Sequence, residues 1–247
     1  MIYIRSLAYN IVFFTNLIAL LIAATPTFFM RRHGIIYFAK LWGLSSQWWL
    51  EKICGTKVEF RGLEKLPKGG FLIGSKHQST WETCRLMPIV PDPAFILKKE
   101  LQYIPVFGWF TRVGEMIAVD RSTGAQAIPL MMQQARRAID EGRQIIIFPE
   151  GTRRPVDAPP NYKFGIARIY DELKVPCVPV ALNAGLFWPR RKFLRFPGKI
   201  IVEILDPIPA GLSPPDFLAR LQNDIETATN RLVAEGRADP VYQASRR

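Results

Sequence analysis

Two hydrophobic regimes meet near Gly55. Before it, no residue from Ser6 to Met30 is charged, a run of about 25 residues and so long enough to cross a hydrocarbon core about 30 Å thick. Arg31 and Arg32 close it abruptly. A secretory signal peptide is the rival reading, but Arg5 is the lone n-region charge, and apolar residues continue through Phe28, Phe29 and Met30 past the Ala23-Ala24 pair where cleavage would fall. An uncleaved membrane segment is therefore expected, with Arg31, Arg32 and Lys40 holding its C-terminal flank in the cytoplasm. Asn16 and Pro26 leave room for a bend that lets the segment dip into the bilayer without crossing. Phe38, Leu41, Trp42, Trp48, Trp49 and Ile53 then fall on or near one helical stripe, which suits either a core-facing helix or one lying among lipid headgroups.

After Gly55, short β-rich runs alternate with helical ones. The expected strands are Val58–Phe60, Phe71–Ser75, Ala94–Leu97, Met116–Val119, Gln144–Phe148, Cys177–Leu182 and Ile200–Ile204. Runs such as Ile145-Ile146-Ile147-Phe148, apolar at successive positions, suit strands covered on both faces. Ile128, Met132, Ala135 and Ile139 make a helical stripe that Gly142 would end. Ser213 reads as an N-cap followed by Pro214 and Pro215, then the stripe Leu218, Leu221, Ile225 and Leu232. Strands alternating with helices imply an α/β fold, a mostly parallel sheet flanked by helices, with an N-terminal hydrophobic membrane-associating helical segment. The expected division is a membrane-associating region over 1–54, a catalytic domain over 55–236 and a polar, frayed tail over 237–247.

Composition narrows the partners. The 33 basic and 21 acidic residues leave a formal net charge of +12, which suits an anionic membrane, a phosphorylated substrate or nucleic acid. Apolar segments beside Arg31-Arg32 and Arg190-Arg191-Lys192 favour the membrane, and no zinc-finger spacing or RNA-binding aromatic signature accompanies the charge. Nucleic acid is thus not an expected partner. Three scattered cysteines, Cys54, Cys84 and Cys177, make no disulfide framework and point to a reducing compartment. His33 and His77 are the only histidines, without H-E-x-x-H or C-x-x-C spacing, so no metal site is expected. Neither a G-x-S-x-G elbow nor a P-loop is present.

The stretch from Ser75 to Glu82 carries the candidate chemistry. His77 follows a strand-like run and precedes a helix-like one, a turn of the kind that faces ligands. A neutral imidazole accepts a proton from an attacking hydroxyl, and a nearby carboxylate fixes its tautomer and stabilises the cation that forms. Glu82 is the acid close by, and reaching it requires a turn, because residues five apart share a helix face poorly. Ser79-Thr80-Trp81-Glu82 also matches the S-x-x-E capping box, in which the glutamate serves only to start a helix. The two roles are compatible if one oxygen of Glu82 caps while the other faces the imidazole.

Together, the His77 stretch and Phe148-Pro149-Glu150-Gly151-Thr152-Arg153 resemble the motifs of the glycerolipid acyltransferases, most closely the lysophosphatidic acid acyltransferases. His77 and Glu82 match a histidine and an acid separated by four residues, with glutamate where the family has aspartate. Lys99-Glu100-Leu101, Pro105, Gly108 and Val119-Asp120-Arg121 resemble the second motif, Phe148 to Arg153 the third, and Val178-Pro179-Val180-Ala181-Leu182 the fourth. In order, they cover roughly Ser75 to Leu182.

The resemblance implies a membrane-bound enzyme that moves an acyl chain from acyl-CoA or acyl-acyl carrier protein to the sn-2 hydroxyl of lysophosphatidic acid, giving phosphatidic acid. It implies no cofactor, and location at the cytoplasmic membrane with the catalytic domain facing the cytoplasm. His77 would be the base and Glu82 its partner. Arg121 and Arg153 would clamp the phosphate, assisted by Lys98 or Lys99, since guanidinium groups match phosphate oxygens bidentately. Glu150 would hold a glycerol hydroxyl or pair with an arginine, Gly151 would allow close backbone approach beside Thr152, and Pro179 would shape the acyl pocket. The alternatives are a same-fold enzyme for another lysolipid, such as a lyso-aminolipid, and a non-catalytic lipid-binding scaffold.

Overall fold

The computed structural model describes residues 1–120 and 128–246, the side chains of 28–31 excepted. Among the described residues, seven strands form one sheet: β1 (Thr56–Arg61), β2 (Phe71–Ser75), β3 (Pro93–Lys98), β4 (Ile117–Val119), β5 (Gln144–Ile147), β6 (Cys177–Leu182) and β7 (Gly198–Ile204). Their order is β1-β7-β6-β2-β5-β3-β4. Every neighbouring pair is parallel except β6 and β7, which run antiparallel. The mostly parallel α/β sheet expected from the sequence is therefore present, with one reversal.

Why the central strands are apolar at every position is plain from their neighbours. β2, β5 and β6 are buried throughout, and their side chains alternate between two separate cores. Phe71 and Ile73 join Ile146, Val178 and Val180 on one face. Leu72, Ile145 and Ile147 join the other face, where α5 (Ile128–Asp140), α6 (Gly165–Leu173) and α8 (Pro214–Ala238) contribute Ala135, Ile166, Phe217, Leu221 and Ile225. Gly74 lets α6 and α8 approach closely, since a Cβ there would lie 3.1 Å from Leu221 and 3.3 Å from Ile166. Ser213 caps α8 as its sequence predicts, its hydroxyl accepting the Asp216 N–H at 3.3 Å.

The uncharged N-terminal run folds as a hairpin on the domain. α1 (Ile2–Ala23) is followed by a 3₁₀ segment, Thr25–Met30, and by α2 (Arg31–Trp49), which ends in a π-helical turn closed by Gly55 at φ 75°. Near the start of α1, Tyr9 and Phe13 enter the main core, and Tyr9 Oη donates to Ser46 O at 3.3 Å. At the other end, Ala24 packs with Ile35 and with Phe110 of α4 (Phe107–Val113). The helix is thus tied to the domain at both ends and lies along it. The tryptophan stripe divides accordingly: Trp42 and Trp49 pack against the core while Trp48 faces outward.

The tail departs from the expectation of fraying. α9 (Pro240–Arg246) follows α8 directly, and Tyr242 sets its ring edgewise against Phe187 and Phe196. One aromatic anchor holds a segment whose polar composition suggested none.

Candidate active site

The site begins where β2 runs out. Lys76 donates its backbone N–H to Val180 O at 2.9 Å, extending the pairing with β6 by one residue. At His77 the main chain leaves the sheet and is fixed on both sides: Glu150 Oε2 accepts its N–H at 2.9 Å, and its carbonyl accepts the Arg154 N–H at 2.7 Å. The imidazole stacks on Phe148, with ring centroids 3.9 Å apart and planes 16° from parallel. Its Nδ1 lies 2.9 Å from Glu82 Oε1. A carboxylate can only accept, so this contact puts the ring proton on Nδ1 and leaves the lone pair on Nε2.

Glu82 sits at the start of α3 (Trp81–Arg85) with no exposed surface. The same oxygen, Oε1, accepts the N–H groups of Gln78 at 2.7 Å and Ser79 at 2.6 Å. The capping bond to Ser79 is therefore real, but the expected division of labour between oxygens is not. Oε1 serves the cap and the imidazole together, while Oε2 is buried without a hydrogen-bond partner among the described residues. The hydroxyl of Ser79 completes the turn by accepting the Trp81 N–H at 3.1 Å. Three charge-assisted donors converging on one oxygen fix both its position and the plane of the imidazole.

Parallel pairing of β2, β5, β3 and β4 sends their carboxyl ends to one edge of the sheet, the edge where open α/β sheets bind ligands. His77 leaves β2 there, and the Phe148–Arg153 segment leaves β5. Lys98 ends β3 and Lys99 follows it, both exposed; Lys99 Nζ lies 3.1 Å from Asp120 Oδ2. Arg121 lies outside the described residues. Arg153 is half-buried and donates to Thr80 Oγ1, which sets its guanidinium beside the loop carrying His77. It has no carboxylate partner among the described residues. Thr152 is exposed and Gly151 adopts φ 67°, a left-handed turn that favours glycine.

Two of the expected site residues are buried. Glu150 faces neither an arginine nor open solvent: its carboxylate is buried, with Oε1 3.0 Å from Lys76 Nζ and Oε2 on the His77 amide. Burial raises its pKa while the Lys76 ammonium opposes that rise. Pro179 is buried within the sheet, opposite Gly74 of β2, and its carbonyl accepts the Leu205 N–H at 3.0 Å.

Lys76, Tyr162 and Glu226 were not legible as site residues. Lys76 Nζ also meets Glu226 Oε1 at 2.6 Å, and Tyr162 Oη donates to that oxygen at 2.9 Å. A signal existed for Glu226, an acid next to Ile225 on the buried stripe of α8. Among the described residues, no group of three His, Cys, Asp or Glu side chains is arranged to hold a metal ion.

An imidazole whose Nδ1 rests on a buried carboxylate, beside an arginine with no carboxylate partner among the described residues, suits a histidine-based transferase on an α/β sheet. The chain belongs to the Acyltransferase family, whose model matches residues 57–183, and it is an acyltransferase. It is 34% identical over 202 residues to the 1-acyl-sn-glycerol-3-phosphate acyltransferase of Pseudomonas aeruginosa, covering 82% of this chain and 78% of that one. It is 27% identical to the human 1-acyl-sn-glycerol-3-phosphate acyltransferase alpha, covering 78% of this chain and 71% of that one. In fold it matches the crystal structure of the 1-acyl-sn-glycerophosphate acyltransferase of Thermotoga maritima, with a TM-score of 0.76, 22% identity, and coverage of 94% and 99% of the two chains.

Proposed function

We propose that the protein transfers an acyl chain from a thioester, acyl-CoA or acyl-acyl carrier protein, to the sn-2 hydroxyl of lysophosphatidic acid, producing phosphatidic acid at a membrane surface. The observation that carries this reading is the pairing of His77 Nδ1 with buried Glu82, 2.9 Å apart, with Arg153 held beside the same loop. The names of the relatives supply the acceptor. Nε2 of His77 takes the hydroxyl proton as the oxygen attacks the thioester carbonyl. Collapse of the tetrahedral intermediate breaks the C–S bond, and the imidazolium returns its proton to the departing thiolate. Glu82 favours the cationic imidazole through the step. No acyl-enzyme is needed. Arg153, together with Arg121, binds the acceptor phosphate and sets the hydroxyl against Nε2.

The membrane part of this reading rests on exposed surface. Ile4, Leu7, Ile11, Phe14, Ile18 and Ile22 form one outward stripe of α1, and Tyr37, Leu44 and Trp48 are exposed on α2. Such a face suits burial in one leaflet at the cytoplasmic membrane, with the catalytic domain on the cytoplasmic side. Incubating purified protein with lysophosphatidic acid and labelled acyl-CoA or acyl-acyl carrier protein tests the reaction. Labelled phosphatidic acid is expected, with little transfer to a phosphate-free lysolipid. No product from either donor would overturn the assignment, and equal use of the phosphate-free acceptor would remove the arginine clamp.

A further inference from the structure

We propose that Glu226, on the closing helix α8, is a positioning residue for His77, acting through Lys76 and Glu150; this rests on His77 being the catalytic base. Glu226 lies outside the four motif segments, and its carboxylate is hydrogen-bonded to Lys76 and Tyr162 rather than to the imidazole. Instead, a continuous polar chain links it to the histidine main chain. Glu226 Oε1 is 2.6 Å from Lys76 Nζ, Lys76 Nζ is 3.0 Å from Glu150 Oε1, and Glu150 Oε2 accepts the His77 N–H at 2.9 Å. Tyr162 Oη donates to Glu226 Oε1 at 2.9 Å, fixing the far end. Burial, then the Glu226 charge, raises the Tyr162 pKa and keeps that donor protonated.

The network is built for rigidity rather than exchange with solvent. The side chains of Lys76 and Glu150 are 3% and 0% exposed, and that of Glu226 is 17% exposed. One ammonium lies between two carboxylates, so removing either partner leaves a buried charge short of hydrogen bonds. A buried ion pair is weak evidence for net stabilisation, because desolvation offsets much of the attraction. Its geometric consequence is firmer. Lys76 and His77 are adjacent, so a lysine held by α8 fixes the peptide from which the imidazole projects. A displacement of about 1 Å at a reacting group can cost about a hundredfold in rate.

Beside this chain lies a cavity of about 240 Å³ lined in part by Lys76, Gln78, Glu226, Thr229 and Asn230. There is thus room for the Lys76 side chain to relax once Glu226 is gone. Glu226→Leu removes the acceptor, whereas Glu226→Gln keeps an acceptor oxygen for Lys76 and Tyr162 without the charge.

The test compares both variants with the wild type well below their melting temperatures, measuring kcat and KM per folded enzyme. Glu226→Leu is expected to lose about ten- to a hundredfold in kcat with KM for lysophosphatidic acid unchanged. Glu226→Gln should recover most of that loss. Because the chain has two histidines, ring signals from isotopically labelled histidine give an activity-independent reading, with His77 identified by its loss in His77→Ala. The His77 signal should shift or broaden in Glu226→Leu and return in Glu226→Gln. Unchanged kcat and an unchanged signal in folded Glu226→Leu would overturn the proposal, as would a rise in KM alone. Where Glu226→Leu fails to fold, Tyr162→Phe removes a single hydroxyl from the same chain and is expected to lower kcat about two- to fivefold and shift the His77 signal; wild-type values for both would overturn the proposal. Absence of transfer by the wild type, with the His77 signal still responding to Glu226, would sink the assigned reaction and leave the coupling intact.

Discussion

Glu82 Oε1 lies 2.9 Å from His77 Nδ1 while also accepting the Gln78 and Ser79 N–H groups. Because one oxygen carries the helix cap and the imidazole contact, structure and electrostatics can be separated only by substitutions that keep an oxygen there. Glu82→Gln retains an acceptor for all three donors but removes the negative charge that favours the imidazolium. It also puts an NH₂ group at the buried Oε2 position, which has no hydrogen-bond partner among the described residues. The expected outcome is a fall in kcat of about 10²- to 10⁴-fold with a stability loss of about 1–3 kcal/mol. Steady-state kinetics beside thermal melts check both, and a fully active Gln variant would reduce Glu82 to a cap. Glu82→Asp keeps the charge but withdraws it by one methylene, so its kcat should fall between those of the wild type and the Gln variant.

Arg153 makes a different prediction, on KM. Its guanidinium is oriented by Thr80 Oγ1 and has no carboxylate partner among the described residues. A phosphate would therefore meet an undivided charge. Arg153→Lys keeps the charge and loses the planar fork, so KM for lysophosphatidic acid should rise about tenfold; Arg153→Ala should raise it further, to about a hundredfold. Melting temperatures should stay close to wild type. Acyl-donor KM measured in parallel should not move, and a change confined to the donor would reassign Arg153 to the thioester.

The cysteines supply a control on mechanism. Cys54, Cys84 and Cys177 are buried and free, and desolvation pushes their thiols up to about 11, about 12 and about 12. At pH 8 all three are protonated, and the thiolate is the reactive form. Native protein should resist iodoacetamide for hours with no loss of transferase activity, and should take up three equivalents only after denaturation. Rapid labelling accompanied by inactivation would point instead to a covalent acyl-cysteine route.

Most of the sheet was visible in the sequence because its central strands are buried on both faces and so carry uninterrupted apolar runs. Phe71–Ser75 and Cys177–Leu182 were read at their observed limits. Toward the β4 side of the sheet, boundaries moved: β3 begins one residue earlier, at Pro93, and β4 starts at Ile117 rather than Met116. The local pair His77–Glu82 was legible since one turn brings the two together. Lys76–Glu226 was not, because 150 residues separate its members and only the docking of α8 unites them. The direction of the Glu150 side chain was not legible for the same reason. A motif states which residue stands at a position, not which way its side chain turns, and that direction depends on the distant lysine network.

The N-terminal hairpin yields a prediction that distinguishes the two faces of one helix. Deleting residues 1–30 removes both the outward stripe and the inward anchors Tyr9 and Phe13, so it conflates lost membrane binding with lost folding. Point substitutions separate them. Leu7, Ile11 and Phe14 are 51%, 57% and 57% exposed, and changing all three to Gln should leave the melting temperature of the protein in non-ionic detergent within about 2 °C. Each apolar side chain transferred into lipid contributes about 1.5–3 kcal/mol, so losing several should shift the protein from the vesicle pellet to the supernatant. Tyr9→Ala and Phe13→Ala should do the opposite. They open the core where Tyr9 and Phe13 meet Trp188 edgewise, lowering stability by about 3–5 kcal/mol each, while the folded fraction still sediments with vesicles. Should the Gln variant sediment as fully as wild type, another surface holds the protein, and the basic loop at Arg190-Arg191-Lys192 becomes the next one to neutralise.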